Sequence, residues 1–298
     1  CTPRRLPFGD DLIIYFRTLA DYRRLQRRLE RATRVAIIGG GFIGSELAAA
    51  LAVGGKTVHL IFPAAHIGAR LFPADLARFV TQYYRDRGVE VRPGTSVVDI
   101  VGSDTQPCLV LQDESSGDEE TVVVDTVVAG IGVEPNVALA EAAGLEVANG
   151  IVVDETLRTG NPNIFAAGDV AEFYNPLLGK RLRVEHEDNA LSMGRAAGRA
   201  MAGKAEVYHH LPFFYSDLFD LGYEAVGEVD ARLDHVADWK EPYREGVVYY
   251  LEAGRVRGVL LWNVWGQVDA ARRLIAEPGP LRTEDLVETR QDVLRPVA

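Results

Sequence analysis

The strongest constraint on this chain is the run Gly39-Gly-Gly-Phe-Ile-Gly44, because of what flanks it. Before it stands Arg34-Val-Ala-Ile-Ile38, an apolar run suited to a strand buried on both faces. After it, Ser45–Val53 is rich in Ala and Leu and reads as a helix, ended by Gly54-Gly55. Lys56–Phe62 reads as a second strand, so residues 34–62 form one strand–turn–helix–strand unit of about thirty residues. In that setting each glycine has a physical role. Gly39 permits the tight turn, Gly41 lets the backbone approach a pyrophosphate, and Gly44 lets helix and strand pack closely. Phe42 and Ile43 fill the positions between them, and the helix start offers N–H groups and a positive dipole end to phosphate.

Two details of this unit leave alternatives open. A dinucleotide site often places Asp or Glu about twenty residues beyond the loop, for the ribose hydroxyls. Here that stretch is Ile61-Phe-Pro-Ala64, followed by His66 and Arg70. These two either meet a 2′-phosphate, or Arg70 stacks on adenine, or both are surface residues, so NAD(H) and NADP(H) both stay open. Glu46, on the first helical turn, is either a carboxylate favoured by the helix dipole or an acid facing the nicotinamide. Phe42 is either a core plug or a ring lying against the cofactor.

Beyond this unit, residues 18–33 read as an amphipathic helix. Leu19, Tyr22, Leu25 and Leu29 share one face, and Arg23, Arg24, Arg27, Arg28 and Arg31 fill the others. The arginines are either a solvated face or a docking patch for an acidic partner. A further helix is expected over 73–87, with the stripe Leu76, Phe79, Val80 and Tyr83, and a short strand over 89–93. Residues 96–111 and 120–129 read as antiparallel strands around a polar loop. Short strands are expected at 151 onward and at Asn163–Ala167, then a helix over 185–202. From Pro212 the chain turns aromatic and β-like. Val247–Glu252 and Arg255–Trp262 flank Ala253-Gly254 as a hairpin, and a closing helix spans 267–277.

Composition narrows the function classes. With 298 residues, 47% hydrophobic and 25% charged, the chain reads as an ordinary globular protein of two or three domains. A net charge of −11 argues against nucleic acid as partner. The longest apolar run, Val122–Val133, contains Asp125 and falls short of the ~20 residues a membrane span needs. Cys1 and Cys108 are the only cysteines, too few for a disulfide framework, a redox CxxC pair or a metal cluster, and a cytoplasmic protein is expected. No signal peptide is read at the start, and the first residue is Cys rather than Met, as in a fragment or a processed form.

Three segments in order carry a resemblance. Val35–Glu46, Gly130-Ile-Gly-Val-Glu-Pro-Asn136 and Thr159–Asp169 resemble the fingerprints of FAD-dependent pyridine nucleotide-disulphide oxidoreductases. Phe62-Pro63, Arg183-Val-Glu-His186, Phe214-Tyr-Ser-Asp217, Gly222–Gly227 and Val259–Asn263 resemble the branch of apoptosis-inducing factors and ferredoxin reductases. The resemblance implies an α/β fold, with Rossmann-type FAD- and NAD(P)-binding domains plus a C-terminal α+β interface domain. Residues 1–30 would be a remnant of the FAD-binding domain and 31–145 the NAD(P)-binding domain. Residues 146–211 would be the second FAD-binding segment, and 212–298 the C-terminal domain, which serves reduction or dimerisation.

The resemblance also implies roles. Gly168 and Asp169 would meet the flavin ribitol, and Glu185 and His186 would sit beside the isoalloxazine. Gly130 and Gly132 would let the nicotinamide nucleotide approach, with Phe42 and Glu46 flanking it. Tyr215 stands where relatives often carry Trp, so Glu46, His186 and Tyr215 are the expected catalytic set, with no metal. Family members begin with an FAD-binding GxGxxG, and none precedes Gly39, so the site for the ADP half of FAD is expected outside this chain. The implied activity passes electrons from NAD(P)H to FAD and on to a ferredoxin- or rubredoxin-type iron–sulfur protein or another acceptor. The alternative is an NADH-responsive redox-sensing interaction protein with little turnover, working through a homodimer.

Overall fold

The computed structural model describes residues 1–280 and 286. The last part of the expected 212–298 domain, 281–285 and 287–298, lies outside the described residues. Two units are distinguished by their internal contacts: Pro3–Val133 with Ser216–Asp220, and Cys1–Thr2 with Glu134–Tyr215 and the residues from Leu221 onward.

The first unit is built on a parallel sheet. After a two-residue strand, β1 (Thr2–Pro3), come β2 (Ile13–Tyr15), α1 (Leu19–Leu29), β3 (Arg34–Ile38), α2 (Phe42–Val53), β4 (Thr57–Phe62), α3 (Ala74–Asp86) and β5 (Val89–Pro93). Three antiparallel strands follow, β6 (Thr95–Ser103), β7 (Gln106–Asp113) and β8 (Glu119–Val123), then β9 (Thr126–Ala129). The sheet order is β2-β9-β3-β4-β5, with every pairing parallel. Residues 120–129, expected to alternate as antiparallel strand, therefore split. Thr126-Val-Val-Ala129 is buried at every position and takes an interior place between β2 and β3, because a run without a polar face needs cover on both sides. Ile13, Ala36, Ile38, Ile61, Leu109 and Val127 belong to one core that joins the parallel sheet to the three-stranded ribbon.

In α1 the expected apolar stripe is only partly used. Leu25 is buried, but Leu19 is 61% and Tyr22 45% exposed. Two of the arginines bind backbone instead of facing only solvent: Arg24 donates to the Asp11 carbonyl and Arg28 to that of Leu12. Thr18 and Asp21 form a capping box that starts this helix. In α3 the burial falls on Leu76, Val80, Tyr83 and Tyr84.

The second unit holds the Glu134 end of β10 (Val133–Glu134), α4 (Ala138–Ala142), β11 (Ile151–Val152), a 3-10 turn at Gly168–Val170, β12 (Ala171–Asn175), β13 (Lys180–Leu182) and α5 (Glu187–Met201). The strand expected at Asn163–Ala167 is only an isolated bridge between Arg158 and Phe165, and the regular strand begins at Ala171. The Thr159 side chain accepts from the Asn161 N–H, and its own N–H donates to the Ile164 carbonyl, so these groups close a turn instead of a ladder. β14 (Phe213–Leu218), β15 (Leu221–Gly227), β16 (Asp234–Glu241), β17 (Glu245–Glu252) and β18 (Arg255–Trp262) form a sheet ordered β14-β15-β18-β17-β16, followed by α6 (Val268–Ala276). Ala253 and Gly254 both take positive φ, 50° and 72°, and turn β17 into β18 as expected. Val226, Tyr249, Leu261, Ala271 and Ile275 are among the core between this sheet and α6. Taken together, the molecule is an α/β protein with a parallel Rossmann-type sheet and separate antiparallel sheets.

Candidate functional site

In the first unit the turn between β3 and α2 is set by backbone. Gly39 adopts φ 112°, and its N–H donates to the Ile61 carbonyl of the neighbouring strand at 2.8 Å. A Cβ on Gly39 would stand 2.5 Å from the Gly130 carbonyl oxygen, and one on Gly44 would collide with the Gly39 carbonyl oxygen. The loop therefore closes only because both residues lack side chains. Gly130 N–H donates to the Ile38 carbonyl at 2.9 Å, which holds the end of β9 against the loop beside Ile43. Gly39, Ile43, Gly44 and Gly130 are thus brought together, whereas Gly132, also at positive φ, is exposed.

Gly41 is the N-cap of α2, without a side-chain cap, and nothing lies within 4 Å of where its Cβ would be. Open space over an uncapped helix start is the cradle a diphosphate needs, so the residues fit a dinucleotide. Ser45 turns its hydroxyl back onto the Gly41 carbonyl at 2.8 Å, which firms the first turn. Phe42 is partly exposed beside this opening.

Glu46 projects from the same turn, and Ser216 donates its hydroxyl to Glu46 Oε1 at 2.6 Å. Partial burial pushes the Glu46 carboxyl above the ordinary range and Asp217 adds to this, while the Ser216 hydrogen bond opposes it. The segment 216–220 is fastened to the unit by more than this bond. Phe219 lies edge-on to Tyr84 at 4.9 Å, the Arg87 guanidinium stands 3.5 Å from the Tyr83 ring, and Asp220 accepts from both Tyr83 and Arg87. Arg70 stands exposed after β4.

The second unit assembles a different group. Gly168, at φ 77°, begins the turn that carries Asp169. Arg183 donates to the Asp169 carbonyl at 3.0 Å and to the Glu185 carboxylate at 2.6 Å, tying the two expected acids through one guanidinium. Its buried Nε is left without a hydrogen-bond partner. An orphaned buried donor on a guanidinium that already meets the Asp169 carbonyl and the Glu185 carboxylate fits a polar cofactor edge at this place. His186 caps α5, and its ring stacks on Phe214 at 4.2 Å and 19°. Burial pushes the His186 imidazole below its ordinary pKa, against the pull of Glu185, Asp169 and Asp188, so the ring is neutral at neutral pH.

Two residues on, Asp188 accepts from Arg272 at 3.0 Å and from the Phe213 N–H at 3.1 Å, and meets His210 at 2.6 Å. Burial opposes the charge, yet these partners hold the Asp188 carboxyl below the ordinary range. Tyr215 is 61% exposed, on the opposite side of β14 from the buried Ser216, as strand alternation dictates.

Ser216, Phe214, Arg183 and Asp188 were not among the residues expected to form the site. All but Asp188 stand inside the quoted motifs, Arg183-Val-Glu-His186 and Phe214-Tyr-Ser-Asp217. Among the described residues no cluster of His, Cys, Asp and Glu is placed to hold a metal, and no helix is long and apolar enough to cross a membrane.

The family described as pyridine nucleotide-disulphide oxidoreductase matches residues 1–194. The C-terminal family of apoptosis-inducing factor matches residues 197–242 and 237–277. The chain is 38% identical over 275 residues to the ferredoxin–NAD(+) reductase component of the anthranilate 1,2-dioxygenase system of Burkholderia cepacia, covering 91% of this chain and 66% of that one. It is 34% identical over 296 residues to mitochondrial apoptosis-inducing factor 1 of Dictyostelium discoideum, covering 92% and 55%. The crystal structure of a covalent putidaredoxin reductase–putidaredoxin complex superposes with a TM-score of 0.87 at 30% identity, over 98% of this chain and 73% of that one. The chain therefore spans about half to two thirds of these curated relatives' length. On the matched family, the two glycine turns and the paired C-terminal region, this chain belongs to the pyridine nucleotide-disulphide oxidoreductases, in the branch of ferredoxin reductases and apoptosis-inducing factors.

Proposed function

We propose that the chain works as an NAD(P)H-dependent flavoprotein oxidoreductase that delivers electrons to a ferredoxin- or rubredoxin-type iron–sulfur protein. The observation that carries this is the uncapped, open start of α2 at Gly41 with Glu46 held one turn away by Ser216. The glycine loop would hold the pyrophosphate of the nicotinamide nucleotide, while Phe42 and Glu46 would orient its nicotinamide end. Asp169, Glu185 and His186, steadied by Arg183 and Phe214, would hold the isoalloxazine and ribitol of FAD, with Tyr215 at its edge. FAD, when bound, supplies the exchange between two-electron and one-electron carriers that the side chains lack. A neutral, stacked His186 brings no extra charge to that surface. The printed name of the Burkholderia relative, a ferredoxin–NAD(+) reductase component, supports the acceptor class.

On this reading residues 31–145 bind the nicotinamide nucleotide, residues 1–30 and 146–211 belong with FAD, and 212–298 form the interface domain. Both cysteines are free thiols, which suits a reducing compartment, and a cytoplasmic setting is part of the proposal.

The test is a visible spectrum, about 350 to 700 nm, of the chain mixed with FAD under nitrogen, before and after NADH or NADPH. Bound flavin bands that bleach support the reading. A chain that binds neither FAD nor either nucleotide overturns it. The match of residues 197–242 and 237–277 to the C-terminal family of apoptosis-inducing factor favours a second reading, an NADH-responsive interaction protein that forms a homodimer. Slow turnover, a persistent long-wavelength band and a nucleotide-dependent shift in sedimentation would favour it over fast ferredoxin reduction.

A further inference from the structure

The rim after β4 is where a dinucleotide site meets the adenosine ribose, and its chemistry here is unusual for NAD(H). Phe62 ends β4, and its ring lies directly under the glycine loop: a Cβ on Gly40 would stand 2.7 Å from it. The residues that follow, Pro63, Ala64 and Ala65, are exposed. From Thr57 to Ala74 the sequence contains no Asp or Glu. This stretch itself offers no acid to the 2′- and 3′-hydroxyls; the carboxylate brought nearest through the backbone is Glu114, whose N–H donates to the Gly94 carbonyl while Gly94 N–H donates to that of Ala64, and that carboxylate accepts from Ser96.

The same rim is positive. Arg70 is exposed, and among the described residues no carboxylate pairs with it. Burial pushes the His66 imidazole below its ordinary pKa, and the charges of Arg78 and Arg85 lower it further, so the field at this place is that of cations. His66 is then neutral at neutral pH. Arg70 is the charged group on this stretch, and a guanidinium matches the oxygens of a phosphate monoester in bidentate geometry.

We propose that Arg70, on a stretch that carries no carboxylate of its own, receives the adenosine 2′-phosphate and makes this chain prefer NADP(H) to NAD(H). The proposal rests on the nucleotide reading above. It commits Arg70 to the phosphate and not to stacking on adenine.

The two failures separate if adenosine fragments are used. The chain is titrated by calorimetry with 2′,5′-ADP and with ADP, then with NADP+ and NAD+, at low and high salt. The expected result is binding of both fragments, with the 2′-phosphate worth about tenfold, the scale of one charge-assisted hydrogen bond. Arg70→Ala is expected to erase most of that ratio while leaving ADP affinity within about twofold. Ala64→Glu should lower affinity for 2′,5′-ADP and spare ADP, because it sets a like charge on the rim. Higher salt should narrow the ratio. Equal binding of the two fragments overturns the proposal but not the nucleotide reading. Equal weakening of both by Arg70→Ala assigns that residue to adenine and also overturns it. No binding of any of the four ligands overturns both.

Discussion

The glycine turn of the first unit and the His186 group of the second are built by opposite means. Around Gly39 and Gly44 the shape comes from backbone: two positions lack side chains, and carbonyls fill the space where side chains would be. Around His186 the shape comes mainly from side chains, those of 183, 185 and 214, with the Asp169 carbonyl held by the same guanidinium that meets Glu185. A backbone-built site tolerates no added atom, because strand, turn and helix would all have to move. A side-chain-built site loses one contact at a time.

The largest effect that would break this contrast is at Gly44. Gly44→Val should cost about 3 kcal/mol or more by overpacking against the Gly39 carbonyl and abolish nucleotide binding. Thermal denaturation and titration with ADP measure both, and a variant that folds and binds like the parent removes the backbone argument. Next comes Asp188→Asn, expected to cost about 2 kcal/mol by breaking the network with His210, Arg272 and the Phe213 N–H. The Asp188 carboxyl is depressed, so its stabilisation is present above the usual aspartate value of 3.8 and is lost as pH falls through the folded value. The variant should therefore show a flatter acid limb in its stability–pH profile. An unchanged limb would assign acid sensitivity elsewhere.

Ser216→Ala should cost about 1 kcal/mol and raise the Glu46 carboxyl pKa further, since the hydrogen bond that opposes the rise is removed. Carboxyl NMR titration of Glu46 reads this directly; a fall or no change excludes Ser216 as the group that holds it charged. The smallest effect is expected at Phe214→Leu, about 0.5 kcal/mol from the lost ring stack. With the ring less enclosed, the His186 pKa should rise toward its ordinary value, as imidazole NMR titration would record.

This contrast also explains what was legible in the sequence. The Gly39–Gly44 turn, its flanking strands and α2 could be read because glycine spacing and apolar runs are local signals. Where the reading missed, the deciding contacts were distant. Thr126–Ala129 looked like the end of an antiparallel ribbon, but a fully buried run is claimed by the interior of the parallel sheet. Leu19 and Tyr22 share the helical face of Leu25, and only Leu25 is buried beside β2. Asn163–Ala167 had strand composition, yet Thr159 and Asn161 close a turn over it.

By itself, then, the sequence determined the glycine turn, the α/β class, the hairpin at Ala253-Gly254 and the acid-free stretch from Thr57 to Ala74. Each follows from residues close together in the chain, where backbone sterics and hydrogen bonding act locally. Only the tertiary structure decided that Ser216 bonds Glu46 across 170 positions, that Phe214 lies under His186, and that Arg183 reaches the Asp169 carbonyl. Those pairings depend on which surfaces pack together once apolar burial has set the arrangement, and no spacing along the chain encodes them.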